Sequence, residues 1–395
     1  MEEASWWPHG LARGSIGDAL SNQEIITKWG TLDCFDVAKT LDASWWNKQD
    51  DGCWGLFSEL NVESVKQIQQ HGNLTLLQLN DAYSALVYSI PTGDSASMLA
   101  RKSAWANALN SSSILLPVAG VTLNGNDAVV VFPHFELTYD ASIKWISTEL
   151  AKAQSSLEPF STPNDQNRWN QRLKSVEDAL RPNTLWRAPH TKHTVGLPAL
   201  RIHPSWIGKT EGQSVLIPMN QRVSERLLCG DERLPALAEL IQMEGRWVEN
   251  NGYARNDIEE MLGSWSSSTP STWSSKKALS TVLGGAWIWR YYDVLFSYAE
   301  AVLYDDKKGL ESAKSWLKDV TRLQAHLGVL RVWKSGVWVG IITMVVAYYG
   351  WQINSMTPSF AIGVALAGAL LSFASNRMYW CCLLYTSPSP RDKRQ

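Results

Sequence analysis

The sequence predicts an α+β protein with a β-rich N-terminal half and a helical C-terminal half, followed by a two-helix transmembrane hairpin. Three observations predict it. Apolar runs with strand character and turn residues between them fill residues 73–137, helical patterning dominates from Leu234 onward, and no charged residue or histidine occurs between Lys334 and Arg377. The expected organisation is a mixed α/β region over 1–180, a loop-rich then helical region over 181–334 ending in a juxtamembrane helix, the hairpin over 335–376, and a short tail over 377–395.

The N-terminal stretch Met1-Glu-Glu-Ala-Ser-Trp-Trp-Pro8 is acidic and has no apolar run, so it is not expected to act as a signal peptide. Asp33–Leu41 carries helical patterning. Asp50-Asp51-Gly52 reads as a turn, and Asn61–Gln70 as an amphipathic helix capped by Gly72. Leu74–Leu79 and Leu86–Ile90 read as strands separated by Asn80-Asp81. Ile114–Leu123 and Ala128–Phe132 flank Asn124-Gly125, the strongest short-range hairpin signal in the chain.

Asp140–Gln154 and Trp169–Leu180 follow as helices, with a polar linker at Ser161–Asn167. In the loop-rich stretch, Ala199–Ile202 and Ser214–Ile217 read as short strands. Helices are expected at 234–249, 256–262, 276–304 and 309–334, with a Ser/Thr/Trp linker at Gly263–Ser275 and a turn at Asp305–Gly309. Leu310, Ala313, Leu317, Val320, Leu327 and Leu330 form an apolar stripe near heptad spacing. It packs on helix 276–304 or serves self-association through 309–340.

The charge-free stretch is twice the roughly 20 residues that cross a hydrocarbon core. Asn354, Ser355 and Pro358 divide it into spans at about 335–353 and 359–375. Lys318, Arg322, Arg331 and Lys334 precede the first span and Arg377 follows the second. The positive-inside rule then puts both ends and the N-terminal domain in the cytoplasm, with the bacterial inner membrane as the expected location. Gly336 and Gly340 in one span, and Ala361, Ala365 and Ala369 in the other, offer small faces for close packing.

A formal net charge of −2 gives no basic field for nucleic acid, so none is expected as a partner. The chain is Trp-rich, with 21 tryptophans, whose large areas suit a core or a groove. Cys34, Cys53 and Cys229 are odd in number and widely spaced, as in a reduced compartment. Residues 382–395, with Cys382 to Asp392 as the matching core, resemble translated sequencing-adapter read-through, so the natural frame is expected to be truncated near Trp380.

Leu79-Asn-Asp-Ala-Tyr-Ser-Ala-Leu-Val-Tyr88 has the length and closing Val-Tyr of a kinase glycine-rich loop. Ser95–Leu99 would follow as a third strand, then a short helix around Trp105. Ile114 to Glu136 would supply the fourth and fifth strands and a hinge, and 140–154 the next helix. On these residues, 74–137 resembles the N-terminal lobe of a protein kinase. The resemblance implies a pseudokinase: Asn80, Ala82 and Ala85 stand at the glycine positions, Met98 at the lysine, and no His-Arg-Asp or Asp-Phe-Gly is found.

Two sets of candidate site residues remain. His190, His193 and His203 lie close enough in sequence to be weighed as metal ligands. Trp287, Arg290, Tyr291 and Asp293 would line a groove, or Arg290 and Asp293 would pair one turn apart. No Walker, Rossmann, serine-hydrolase or His-Glu-x-x-His motif names a cofactor. The expected function is a membrane-anchored, non-catalytic cytoplasmic interaction or signalling module that binds a protein partner. The alternative is a degenerate kinase-like nucleotide-binding protein, or a metal-assisted hydrolase using the histidines of 190–203.

Overall fold

The computed structural model describes residues 24–27, 29–48, 51–163, 195–228, 233–275, 279 and 285–384. The chain divides into two units, Met1–Lys314 and Ser315–Gln395.

The first unit opens with hairpin β1 (Glu24–Thr27) and β2 (Gly30–Asp33), a 3-10 turn at Val37–Leu41, and the short α1 (Ala43–Trp46). Then come β3 (Cys53–Gly55), β4 (Val65–His71), β5 (Leu74–Leu79) and β6 (Tyr83–Tyr88). Helices α2 (Ser95–Arg101) and α3 (Ser103–Leu109) intervene before β7 (Ala119–Leu123) and β8 (Asn126–Pro133). β3 to β8 form one antiparallel six-stranded sheet in the order β3-β7-β8-β6-β5-β4. Its two inner turns have positive φ at consecutive positions, Asn80 and Asp81, then Asn124 and Gly125, the geometry that matches strand twist.

The central strands β5, β6 and β8 are buried on both faces, which explains the unbroken apolar run Ala128–Phe132. Val129 and Val131 pack with Leu77, Leu79, Val87, Trp46 and Phe57 on one side. Val130 and Phe132 pack with Leu76, Leu86, Phe135, Trp206 and Ile217 on the other. Beyond the sheet lie β9 (Glu136–Thr138), α4 (Ile143–Ser156), β10 (Thr162–Pro163), β11 (Val195–Pro198), β12 (Ile207–Thr210) and β13 (Gln213–Leu216). The unit continues through α5 (Val223–Leu228), β14 (Arg233–Pro235), α6 (Ala236–Asn251), α7 (Arg255–Ser268) and α8 (Gly285–Leu303). Two small sheets, β10-β11-β14 and β13-β12-β9, tie these segments together.

The structure corrects several expected elements. Asn61–Gln70 is not a helix: its second half is strand β4, and Gly72 is a hairpin turn. Valine and isoleucine three apart (Val62, Val65, Ile68) imitate a helical face. Asn80 decides otherwise, because its Oδ1 accepts the N–H groups of Glu63 and Ser64 at 2.8 and 2.9 Å, and its Nδ2 donates to the Asn61 carbonyl at 2.7 Å. Ser95–Leu99 is helix α2 rather than a strand, and buried Asp127 accepts the Ser97 N–H at 3.0 Å. The third strand that the kinase resemblance placed at Ser95–Leu99 is therefore absent there, and β6 is followed by a helix. The strand expected at 199–202 ends at Pro198. Gly263–Ser268 extends α7 because Trp265 is fully buried and donates to Gln154 at 2.8 Å. The helix expected at 169–180 lies outside the described residues, as do Cys229 and the tail from Tyr385.

In the second unit, α9 (Lys307–Gln352) enters from the first unit without a break, and α10 (Pro358–Leu384) follows. Gly328–Gln352 and Pro358–Trp380 are each long and apolar enough to cross a membrane. Asn354, at φ +54°, ends α9 in the left-handed region, and Pro358 starts α10, where a missing N–H is tolerated. The helices meet through small residues. A Cβ on Gly340 would collide with the Gly368 carbonyl and the Ser372 backbone, and one on Gly336 with Ser375. Ala361, Gly368 and Ser375, seven apart, are the buried positions of α10 among the residues whose burial is described, whereas the expected Ala369 faces out.

Candidate functional site

The polar centre of the first unit is the loop 199–206 between β11 and β12. Arg201 has φ +51°, uncommon for a residue with a side chain, and this breaks the strand. Its backbone hydrogen bonds go to side chains instead of a neighbouring strand. Glu239 of α6 accepts the N–H groups of Leu200 and Arg201, both at 2.5 Å. Arg246 Nη1, one helical face further along, donates to the Arg201 carbonyl at 3.2 Å.

The Arg201 guanidinium is completely buried. Nη2 pairs with Glu225 Oε1 at 3.0 Å, with neither side chain exposed, and Nη1 reaches Ser95 Oγ at 3.3 Å. Gln221 joins the same centre to the sheet side, its Nε2 donating to the Thr92 carbonyl while Thr92 Oγ1 donates to the Gln221 carbonyl at 2.6 Å. A buried charge pair of this kind is costly to form and costlier to break on one side only.

A second layer surrounds it. Arg222 pairs with Asp293 at 3.2 Å and donates to Ser297 at 3.0 Å, and Glu300 accepts the Ser224 N–H at 2.9 Å. Gly245 is required here, because a Cβ would collide with Asp293 Oδ2 where α6 and α8 approach. Burial pushes Glu239 and Glu300 upward, against the hydrogen bonds they accept. Burial and the neighbouring Arg222 bring Arg246 down to about 10.

The expected groove residues fall on α8. Arg290 and Asp293 do not pair with each other: Arg290 forms a two-pronged bond to Glu244 at 2.6 and 2.8 Å, and Asp293 takes Arg222. Trp287 stacks on Tyr291 with centroids 5.7 Å apart and planes at 6°, both rings buried. These residues thus form a packed helix interface. His203 sits in the loop, its Nδ1 accepting the Ser205 N–H at 3.1 Å, and burial followed by Arg246 and Arg222 lowers its pKa to about 2. His190 and His193 lie outside the described residues. Among the described residues no three His, Cys, Asp or Glu side chains are placed to hold a metal ion.

Sequence reasoning missed Arg201, Glu225, Glu239 and Arg246. The available signal was charge on otherwise apolar faces, as in Ala236-Leu-Ala-Glu-Leu-Ile-Gln-Met-Glu-Gly-Arg246. The covering of the sheet face was also missed: Trp206, Val215, Ile217 and Met219 pack directly against Leu74, Leu76, Leu86 and Phe132.

No family model matches the chain, and no curated protein does. Among solved structures it is similar to phosphotransferases. A glucosamine kinase in complex with glucosamine, ADP and inorganic phosphate is 12% identical, with 80% of this chain and 91% of that chain covered and a TM-score of 0.41. The GDP and kanamycin complex of APH(2″)-IIIa is 8% identical, covering 65% and 93%, at 0.40. A macrolide 2′-phosphotransferase type I is 8% identical, covering 64% and 90%, at 0.35. Likenesses at this level establish neither a family nor an activity.

Proposed function

We propose that this chain is a membrane-anchored, non-catalytic module of kinase-like plan, whose N-terminal unit binds a protein partner on the cytoplasmic side. The observation that carries the reading is the Arg201 loop. A kinase catalytic loop needs an Asp as base and an Asn five residues on for the metal, with a second metal-binding Asp further along the chain. Here the loop ahead of hairpin β12–β13 carries Arg201 and, five residues on, Trp206, and Ile217-Pro-Met-Asn220 after the hairpin has no carboxylate. Arg201 is paired with Glu225 and buried, so it cannot act as a base, and Trp206 belongs to the apolar cluster under the sheet.

The remaining kinase parts are equally unsuited. Strand β6, Tyr83-Ser-Ala-Leu-Val-Tyr88, has no lysine, and α2 and α3 have no glutamate. The ion pair that orients the nucleotide phosphates in kinases cannot form from them. Trp206, Val215, Ile217 and Met219 against Leu74, Leu76 and Leu86 fill the space beneath the sheet.

Thermal unfolding of the full chain in detergent, with and without magnesium and ATP or GTP, tests the reading. The expected result is no saturable shift with either nucleotide. A saturable, magnesium-dependent stabilisation would overturn it in favour of the nucleotide-binding alternative. Membrane retention after alkaline carbonate washing tests the anchor separately.

A further inference from the structure

Two close approaches set how α9 and α10 face each other inside the second unit. Gly336 lies against Ser375, and Gly340 against Gly368 and Ser372. Continued outward by less than one turn, this antiparallel pairing puts Lys334 level with Arg377. One further turn puts Arg331 level with Trp380. Two separate helices thus bring three cations to one end of the hairpin, at the edge of the charge-free band.

Arg331, Lys334 and Arg377 are all exposed, and none has a carboxylate partner among the described residues. No Asp or Glu occurs in the sequence between Asp319 and Asp392, so nothing in this stretch neutralises them. The opposite end of the hairpin, from Tyr348 to Phe360, has no charge at all. Tyr379 and Trp380 stand edge to face at 6.1 Å beside the basic group, the kind of amphipathic ring that settles at headgroup level.

We infer that Arg331, Lys334 and Arg377 form a binding site for the headgroup of an anionic phospholipid, in the leaflet at that end of the hairpin. The inference rests on the membrane reading above. Phosphate oxygens would accept from Lys334 and Arg377 on the two helices, with Arg331 one turn further out. Each basic residue held at an anionic surface favours association by roughly fivefold.

The full chain is placed in bilayer discs containing equal phosphatidylcholine and phosphatidylglycerol, and the lipids retained on release are counted by native mass spectrometry. At least tenfold enrichment of phosphatidylglycerol is expected. It should fall to near parity in Lys334→Gln/Arg377→Gln and persist in Lys39→Gln, an exposed lysine of the first unit. Parity in the unmodified chain, enrichment that survives the double substitution, or displacement of the lipid by free inorganic phosphate would each overturn the site. Failure to enter the discs would overturn the membrane reading and this site with it; entry without enrichment overturns the site alone.

Discussion

In the first unit, Arg201 and Glu225 have no exposed side-chain surface while the apolar sheet is covered on both faces. In the second unit the arrangement reverses: Gly340, Ala347, Gly368 and Ser375 are inside, while Trp338, Ile342, Leu366, Leu370 and Phe373 point outward. Water drives apolar area inward, so a soluble unit can bury polar groups only if each finds a partner. Lipid removes that drive, and helices then associate through close contact of small residues. The contrast in what is buried is what water around one unit and lipid around the other would produce, as the proposed membrane anchor requires.

The largest expected effect tests the buried side of this contrast. Arg201→Ala leaves Glu225 buried without its cation and should destabilise the first unit by about 3–5 kcal/mol in denaturant unfolding. Replacing both partners with methionine should recover most of that loss. Recovery failing in the double variant would mean that Arg201 acts through the loop backbone rather than through its charge.

Asp127 gives a pH-dependent version of the same test. It is fully buried, and burial, reinforced by Asp94, raises its carboxyl to about 7 against the hydrogen bond from Ser97. Its folded pKa exceeds the unfolded value near 3.8, so the folded state holds the extra proton between those limits. This group therefore adds stability as pH falls from about 7 towards 4, and costs stability above 7, by an upper bound of roughly 4 kcal/mol. Asp127→Asn should flatten that slope and be more stable than the parent at pH 8, as read by thermal melts across the range.

The exposed side is sharpened by a pair of equal changes. Leu370 is 69% exposed and Leu41 46% exposed. Leu370→Asp should raise the insertion free energy of its helix by about 3 kcal/mol in a translocon assay. Leu41→Asp, in water, should shift unfolding by no more than about 0.5 kcal/mol. Equal, small effects at both positions would remove the case for lipid around α10.

Local signals were enough for the elements whose own residues decide them. The Asn124-Gly125 hairpin, the strand at Leu74–Leu79, helix α4 and the charge-free helices were legible, because turn chemistry and apolar period act within a few residues. Strand β4 was not, since its helical spacing was overruled by Asn80 from a later turn. Helix α2 was not either, because its buried small residues are fixed by Asp127, which is 30 residues away. The site was least legible. Arg201 meets Ser95, Gln221 with Glu225, and Glu239 from three separate segments, and no spacing rule relates it to them.

By itself, then, the sequence determined the α+β plan, the order of its β-rich and helical halves, and the two long apolar helices, since composition and periodicity carry those. Only the tertiary structure decided that Arg290 and Asp293 serve different partners and that Trp206 covers the sheet. It alone brought Lys334 and Arg377 to one level. Those outcomes depend on which distant groups are brought together, and desolvation leaves a buried charge no choice but to find one of them.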